Sequence, residues 1–167
     1  MKKIALSFIL LFVISFSGNA QVESHTIGVR VSGSNYGFGP EVSYQHGLGD
    51  DSRIEAGLGF SLDNGYNRFG LTGAYHLVFD IQSGFSWFVG PAAQVWIYSY
   101  AYHNNFLYND NRGSVGGAVG AHFGVEYNFK ELDLPFTAGI DSRPMFNFVN
   151  NNSGFEFALG ISARYIF

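Results

Sequence analysis

The sequence predicts an all-β fold, an eight-stranded antiparallel up-and-down transmembrane β-barrel, on three observations. In residues 154–167 the seven residues of one parity, from Phe155 to Phe167, are apolar, while Glu156, Ala158, Gly160, Ser162 and Arg164 on the other parity are small, polar or charged. Successive side chains of a strand point to opposite faces, so one face of this strand is wholly apolar. Seven further segments alternate, and an even strand number is typical of a closed barrel. After residue 20 no apolar run is long enough for a membrane-spanning helix.

The N-terminal residues indicate export. Lys2 and Lys3 precede an apolar run over residues 4–16, and small residues at 18–20 precede Gln21. This run is shorter than the about 20 residues that a membrane-spanning helix needs. We therefore interpret residues 1–20 as a signal peptide that is removed, and residues 21–167 as one barrel domain.

The predicted strands share the alternation but differ in length. They cover residues 26–32, 40–46, 53–62, 67–79, 87–98, 115–129, 134–143 and 154–167. The connections alternate between compact turns at 47–52, 80–84 and 130–133 and outer loops at 33–39, 63–66, 99–113 and 144–153. If both termini lie in the periplasm, the two long, asparagine-rich loops are extracellular.

One hairpin can be registered from sequence. Asn64-Gly65 is a strong signal for a two-residue type I′ turn, which pairs Asp63 with Tyr66. Counting outward then places Phe60 opposite Phe69, Leu58 opposite Leu71 and Ile54 opposite Tyr75. A slip of one residue would destroy every one of these apolar pairs.

Charged residues avoid the apolar faces of the predicted strands. Five arginines and five acids occupy the polar faces: Arg30, Glu41, Arg53, Glu55, Arg68, Glu126, Asp141, Arg143, Glu156 and Arg164. Since an unpaired buried charge is costly, their balance predicts a paired network that fills the lumen, with Arg143 expected to pair with Glu156 on the neighbouring strand. Many glycines share this face and leave room for arginine side chains.

Alternation alone does not say which face is inside. A soluble, lipocalin-like barrel also alternates, with its apolar face around a ligand. Here the apolar face is too bulky for a small interior, and the polar face is too rich in glycine for a soluble exterior. Aromatic residues also cluster at the predicted periplasmic strand ends, as a membrane girdle does: Phe79, Trp87, Tyr127, Phe129, Phe136, Tyr165 and Phe167. We expect the apolar face to contact lipid.

Composition excludes several classes of function. The chain has no cysteine, so it forms no disulfide, and its net charge of −4 becomes −6 once Lys2 and Lys3 are removed. An acidic chain is not expected to bind nucleic acid. The histidines at 25, 46, 76, 103 and 122 show no ligand spacing, so the sequence predicts neither a metal site nor a cofactor.

Over residues 26–167 the chain resembles the small eight-stranded outer-membrane barrels of the OmpA/OmpX type. The resemblance rests on size, pattern, the signal peptide and the terminal residues Tyr165 and Phe167, which are similar to the C-terminal signal read by the barrel-assembly machinery. It implies location in the cell outer membrane, with membrane lipid and that machinery as partners. It implies no particular activity, because the match is to an architecture.

The first functional hypothesis is a monomeric structural or surface-interaction protein with an unidentified partner. Its candidate contact residues crowd the longest loop: Tyr98, Tyr100, Tyr102, His103, Phe106 and Tyr108. The alternatives are a narrow passive channel and a lipid-modifying enzyme. For the enzyme, Asp141 and Ser142 form a possible acid–nucleophile pair without a histidine partner, and the His-x-Ser arrangement of barrel deacylases is absent from the sequence, so no catalytic residue is assigned.

Overall fold

The computed structural model describes residues 22–34, 37–63, 66–100, 114–148 and 153–167. Its eight antiparallel strands pair in chain order and β8 also pairs with β1, which closes the barrel and confirms the predicted fold class. A short 3₁₀ helix, Phe129–Leu132, joins β6 to β7, and no helix among the described residues could cross a membrane. The strands are β1 His25–Ser34, β2 Gly37–Gly47, β3 Ser52–Asp63, β4 Tyr66–Gln82, β5 Phe85–Tyr100, β6 Ser114–Asn128, β7 Phe136–Phe148 and β8 Gly154–Ile166.

Several strands are longer than the sequence predicted. β7 continues to Phe148, so the outer loop expected at 144–153 is wrong in its first half. Pro144, which lacks an N–H donor, lies inside this strand. The alternation nevertheless persists beyond it, with Met145 buried and Phe146 exposed. The loop expected at 33–39 is likewise too long, since β1 ends at Ser34 and β2 begins at Gly37.

The predicted hairpin register is confirmed. Asp63 pairs with Tyr66, Phe60 with Phe69, Leu58 with Leu71 and Ile54 with Tyr75. The turn residues 64–65 themselves lie outside the described residues.

The lower end of the barrel, defined here as the end that carries Ser24 and Phe167, has a compact turn between β4 and β5. Its two central residues, Ser83 and Gly84, both have positive φ, at 53° and 82°. Two such residues form a type I′ turn, whose twist matches that of the flanking strands. This turn lies within the segment 80–84 that the sequence predicted as a compact connection.

The polar face of the wall points inward. Arg30, Arg143 and Arg164 are 1–2% exposed, whereas the outward-facing Ile140 and Ile161 are 68% and 63% exposed. The apolar face therefore does not line an interior ligand cavity, and this excludes the lipocalin-like alternative. A belt of outward apolar side chains matches the surface that lipid-embedded barrels present.

Aromatic side chains form contacts around the lower rim. Phe79 stacks on Trp87 with ring centroids 4.5 Å apart, and Tyr127 contacts Phe129 edge to face at 4.8 Å. Phe136 and Tyr165 are cross-strand partners whose rings also meet edge to face. These residues belong to the aromatic girdle predicted from the sequence.

Candidate functional site

All ten charged side chains of the predicted network lie on the luminal face. Nine are buried, and the Arg68 side chain retains 11% exposure. Every strand except β5 supplies at least one of them. Long side chains fill this layer because a barrel of about eight strands has an interior just wide enough for side chains. We call these ten residues the luminal charge network.

Arg143 of β7 lies at the centre of the network. Its guanidinium donates to both carboxylate oxygens of Glu41 at 2.9 and 3.1 Å and to Glu55 Oε1 at 3.1 Å. The side chain therefore crosses the lumen from β7 to β2 and β3. Arg164 of β8 donates to Glu55 Oε2 at 3.2 Å, and the Gln45 amide donates to the same oxygen at 2.6 Å.

Two further ion pairs flank this centre. Arg30 donates from Nε and Nη2 to Asp141 Oδ1 at 2.8 and 2.6 Å. Arg53 makes a bidentate pair with Glu126, at 2.5 and 2.9 Å. Bidentate arginine–carboxylate pairs combine strength with a fixed geometry, so these contacts hold the side chains in place.

The expected pair between Arg143 and Glu156 is wrong. In the β7–β8 register Glu156 stands opposite Met145, and Arg143 stands opposite Ala158. Glu156 instead accepts from Asn147 at 3.0 Å and lies 3.6 Å from Arg68 across the lumen. The neighbouring strand does not supply the partner of Arg143, because a long arginine side chain in a narrow barrel reaches the opposite wall.

Glycines make room for the network at specific positions. A Cβ added at Gly160 would lie 2.6 Å from Arg30 Nη2, and one at Gly57 would lie 2.8 Å from the Glu41 carboxylate. Separations under 3.0 Å are too short for a real Cβ, so a side chain at either position would force the neighbouring charged group to shift. Glycine on the luminal face thus decides where charged groups can sit.

Sequence reasoning missed a contact between two buried histidines. His76 of β4 and His122 of β6 are both fully buried, and His76 Nε2 lies 2.9 Å from His122 Nδ1. Since Arg53 Nε donates to His76 Nδ1 at 3.3 Å, we assign the His76 proton to Nε2 and the His122 proton to its own Nε2, which lies 3.3 Å from Asp141 Oδ1. These contacts link the Arg53–Glu126 pair to the Arg30–Asp141 pair.

A signal for this contact was present in the sequence. β5 separates the two histidines, and its residue opposite His122 is Gly90. A glycine on the intervening strand lets the two rings meet across it. Both histidines fall on the luminal parity, and the strand register brings them to the same height on either side of β5. Their separation along the chain gives no sign of this contact.

The same histidines approach Glu55 closely enough to form a candidate cation site. One ligand atom from each of Glu55, His76 and His122 lies within 4.8 Å of the others. Both Glu55 oxygens, however, already accept hydrogen bonds from Arg143, Arg164 and Gln45, and the facing ring nitrogens bond each other. These hydrogen bonds occupy the Glu55 oxygens and the facing ring nitrogens, while His122 Nε2 lies 3.3 Å from Asp141 Oδ1 without a hydrogen bond.

Two cavities lie on either side of the network centre. A lower cavity of about 650 Å³ is lined by Arg53, Glu126 and polar residues of the lower rim, and an upper cavity of about 40 Å³ is lined by Arg30, Glu41 and Arg143. Glu55, His76, His122, Asp141 and Arg164 line neither cavity and lie between them. The lumen is therefore polar above and below a densely packed middle layer.

Residues 22–24 close part of the lower mouth. Val22 packs against Val78 and Phe88, and its N–H donates to the Asp50 carbonyl at 3.1 Å. The Glu23 carboxylate accepts from Asn128 and Lys130 at 2.8 and 2.5 Å. The segment that precedes β1 is thus bound to the turn and helix residues of this end.

The other predicted site residues fall into two groups. Tyr165 and Phe167 lie at the lower rim and are 45% and 62% exposed. Tyr98 and Tyr100 belong to β5, but their side chains, and all of Tyr102, His103, Phe106 and Tyr108, lie outside the described residues. The predicted contact loop therefore remains a prediction.

Asp141 and Ser142 do not form an acid–nucleophile pair. Asp141 faces the lumen, whereas Ser142 is on the outward parity and donates to the Ala158 carbonyl at 3.1 Å. Neighbouring residues of a strand point to opposite faces, so their side chains cannot converge on one substrate.

The fold is that of small eight-stranded outer-membrane barrels. Neisserial surface protein A is similar over 86% of this chain and 94% of its own, with 16% identity and a TM-score of 0.60. The N-terminal β-barrel domain of Pseudomonas aeruginosa OprF matches over 87% of this chain and all of its own, with 16% identity and a TM-score of 0.54. A major outer membrane protein from Thermus thermophilus matches 86% of this chain and 98% of its own, at 13% identity and a TM-score of 0.53. No protein-family model and no curated protein matches the sequence. At these identities the likeness shows the fold alone.

Proposed function

We propose that this chain is a bacterial outer-membrane barrel that is closed to solutes and serves as a structural or surface-interaction protein. The observation that carries the proposal is the contact of Arg143 with both Glu41 and Glu55 across the lumen. Together with the Arg30–Asp141 and Arg53–Glu126 pairs, this contact joins the walls through the middle layer.

The energetics favour a closed middle layer. A continuous path would require Arg143 to leave Glu41 and Glu55, which would expose uncompensated charges within the wall. Breaking a buried ion pair by removing one partner costs about 3–5 kcal/mol. At such a cost the open arrangement would be a minor population.

Export and membrane insertion complete the proposal. Residues 1–20 would be removed as a signal peptide, and the apolar belt would contact outer-membrane lipid with the lower end in the periplasm. The barrel-assembly machinery would engage the end that carries Tyr165 and Phe167. We propose a monomer, because β1 and β8 pair with each other and no strand edge is left for a second copy among the described strands.

Surface interaction would be carried by the outer loops. The loop around residues 99–113 offers four aromatic residues and a histidine in a short stretch, and exposed aromatic residues suit partner binding. Cross-linking from this loop in intact cells would identify a partner. Replacement of Tyr102, Phe106 and Tyr108 by serine should abolish the cross-link without altering barrel assembly.

Conductance in planar bilayers tests closure. The purified barrel should show only rare, brief openings, and Arg143→Ala should increase their frequency and amplitude because it removes the central side chain. Asp133→Asn is a matched control, since this residue lies in the lower turn with a φ of 57° that asparagine tolerates. Steady conductance from the unmodified barrel would contradict closure.

A narrow passive channel is the second candidate, and the two cavities favour it. They leave only the middle layer to be opened, so a rearrangement of a few side chains would join them. Steady conductance that Arg143→Ala leaves unchanged would support a path that bypasses this residue. A lipid-modifying function would instead show as altered lipid A in cells that express the chain.

A further inference from the structure

A second pair of histidines lies on the outward surface at the lower rim, away from the luminal charge network. His25 of β1 and His46 of β2 are direct cross-strand partners, and both are partly exposed. They share the outward parity of Ile27 and Tyr44. Directly opposed residues bring their Cβ atoms to about 4.5–5.5 Å, so side chains at these positions can share one ligand.

Three polar atoms converge at this pair. His25 Nδ1 lies 2.7 Å from the Tyr44 hydroxyl and 3.3 Å from His46 Nδ1. A neutral ring nitrogen offers either one hydrogen or one lone pair, so His25 Nδ1 cannot fully satisfy both neighbours. One hydrogen on His25 Nδ1, or one lone pair, is therefore too few to bond both the Tyr44 hydroxyl and His46 Nδ1 fully.

The separation of the two nitrogens matches that of ligands around one metal ion. Zinc binds histidine nitrogen at about 2.0–2.1 Å in tetrahedral sites, which places two such nitrogens about 3.3–3.4 Å apart. The observed separation is 3.3 Å. The partial exposure of both rings also provides the entry path that a metal site requires. The fully buried His76 and His122 lack that path.

We propose that His25 and His46 bind a divalent transition-metal ion, zinc in the first instance, through their Nδ1 atoms. Imidazole suits zinc, copper and nickel, and water would complete the coordination. The ion would join β1 to β2 beside the closing β1–β8 pair. Phe167 stacks on His25 there, with ring centroids 5.7 Å apart, and its N–H donates to the His25 carbonyl at 3.2 Å.

Calorimetric titration of zinc into the refolded barrel tests this site. The chain must carry no polyhistidine tag, and a gel-mobility difference before and after boiling should verify folding of every variant. The unmodified barrel should bind one zinc ion. Loss of a residue that only orients a metal ligand costs about 10–100-fold in metal affinity. His25→Gln and His46→Gln each remove a ligand itself, so each should weaken zinc binding by at least about tenfold.

Two further variants act as controls. His103→Gln removes a histidine from another segment and should leave zinc binding unchanged. Tyr44→Phe retains both ring nitrogens, so binding should persist.

Electron paramagnetic resonance of bound Cu²⁺ should report two nitrogen ligands in the unmodified barrel and fewer in either histidine variant.

Three results would overturn the proposal. These are the absence of saturable zinc binding, zinc affinity in folded His25→Gln or His46→Gln equal to that of the unmodified barrel, and loss of zinc binding on His103→Gln. None of them bears on closure of the lumen, because the rim pair and the luminal charge network lie on opposite faces of the wall.

Discussion

The luminal and outward faces of the barrel wall are built from the same strands but follow opposite rules for charge and size. Among the strand residues whose side chains the structure describes, Asp, Glu and Arg occur only on the luminal face, whereas the outward face carries bulky apolar side chains. On the luminal face the charges of the network have partners, and glycines set the available space. Outside, lipid offers no partner for a charge but ample space for a side chain. The same substitution should therefore have different effects on the two faces.

The largest effect should follow deletion of Tyr165–Phe167. This deletion shortens the β1–β8 pairing that closes the barrel and so keeps the luminal face apart from the outward face. Tyr165 and Ile166 pair with Ile27 and Thr26 of β1, so the deletion exposes backbone groups at the seam. Each unsatisfied backbone group costs several kcal/mol in lipid. We expect loss of the protein from the outer membrane, measured by fractionation of cells. Normal outer-membrane levels would show that this end is neither the assembly signal nor essential for closure.

Arg143→Ala should cause the next largest loss, about 3–5 kcal/mol in the free energy of unfolding, because it leaves Glu41 and Glu55 without their central partner. Denaturant titration in detergent micelles, followed by tryptophan fluorescence, measures it. Adding Glu41→Gln should recover part of the loss, since one uncompensated carboxylate is removed. A double variant that is less stable than the single one would contradict this reason.

Arginine at neighbouring positions compares the two faces directly. Leu71→Arg places a charge in lipid near the middle of β4, at a cost of about 2–4 kcal/mol. Thr72→Arg places it in the lumen, where the Thr72 hydroxyl already bonds the Glu41 carboxylate at 3.1 Å, and the main cost is crowding, about 1–3 kcal/mol. The same titrations should therefore find Leu71→Arg the less stable variant. The reverse order would mean that space in the lumen limits the barrel more than charge in lipid does.

The smallest effect should come from adding one methyl group to a glycine on each face of the wall. Gly160→Ala should destabilise the barrel by about 1–3 kcal/mol, because its Cβ would meet the Arg30 guanidinium that Asp141 holds. Gly73→Ala on the outward face is the matched control. No atom lies within 4 Å of its Cβ position, so stability should be unchanged or raised by about 0.4–1 kcal/mol. Equal effects at both positions would show that the lumen is less tightly packed than the distances indicate.

Much of the wall was predictable because alternation is a local property. A period of two assigns each residue to a face without knowledge of any other strand, so it places all ten charged residues of the network on one parity. The β3–β4 register followed from one turn, since a two-residue hairpin loop determines every pair that follows it. Strand ends were less accurate, because residues that favour turns can still follow the alternation, as they do where β7 continues past Pro144 to Phe148.

The sequence by itself determined the strand number, the two faces and the presence of a balanced set of luminal charges. Only the tertiary structure decided which charges pair, because partners across a barrel depend on how strand tilt and stagger place opposite walls. Arg143 therefore reaches Glu41 and Glu55 on the far side of the lumen, and His76 meets His122 across Gly90. The rim pair of His25 and His46 likewise formed only when β1 and β2 came into register.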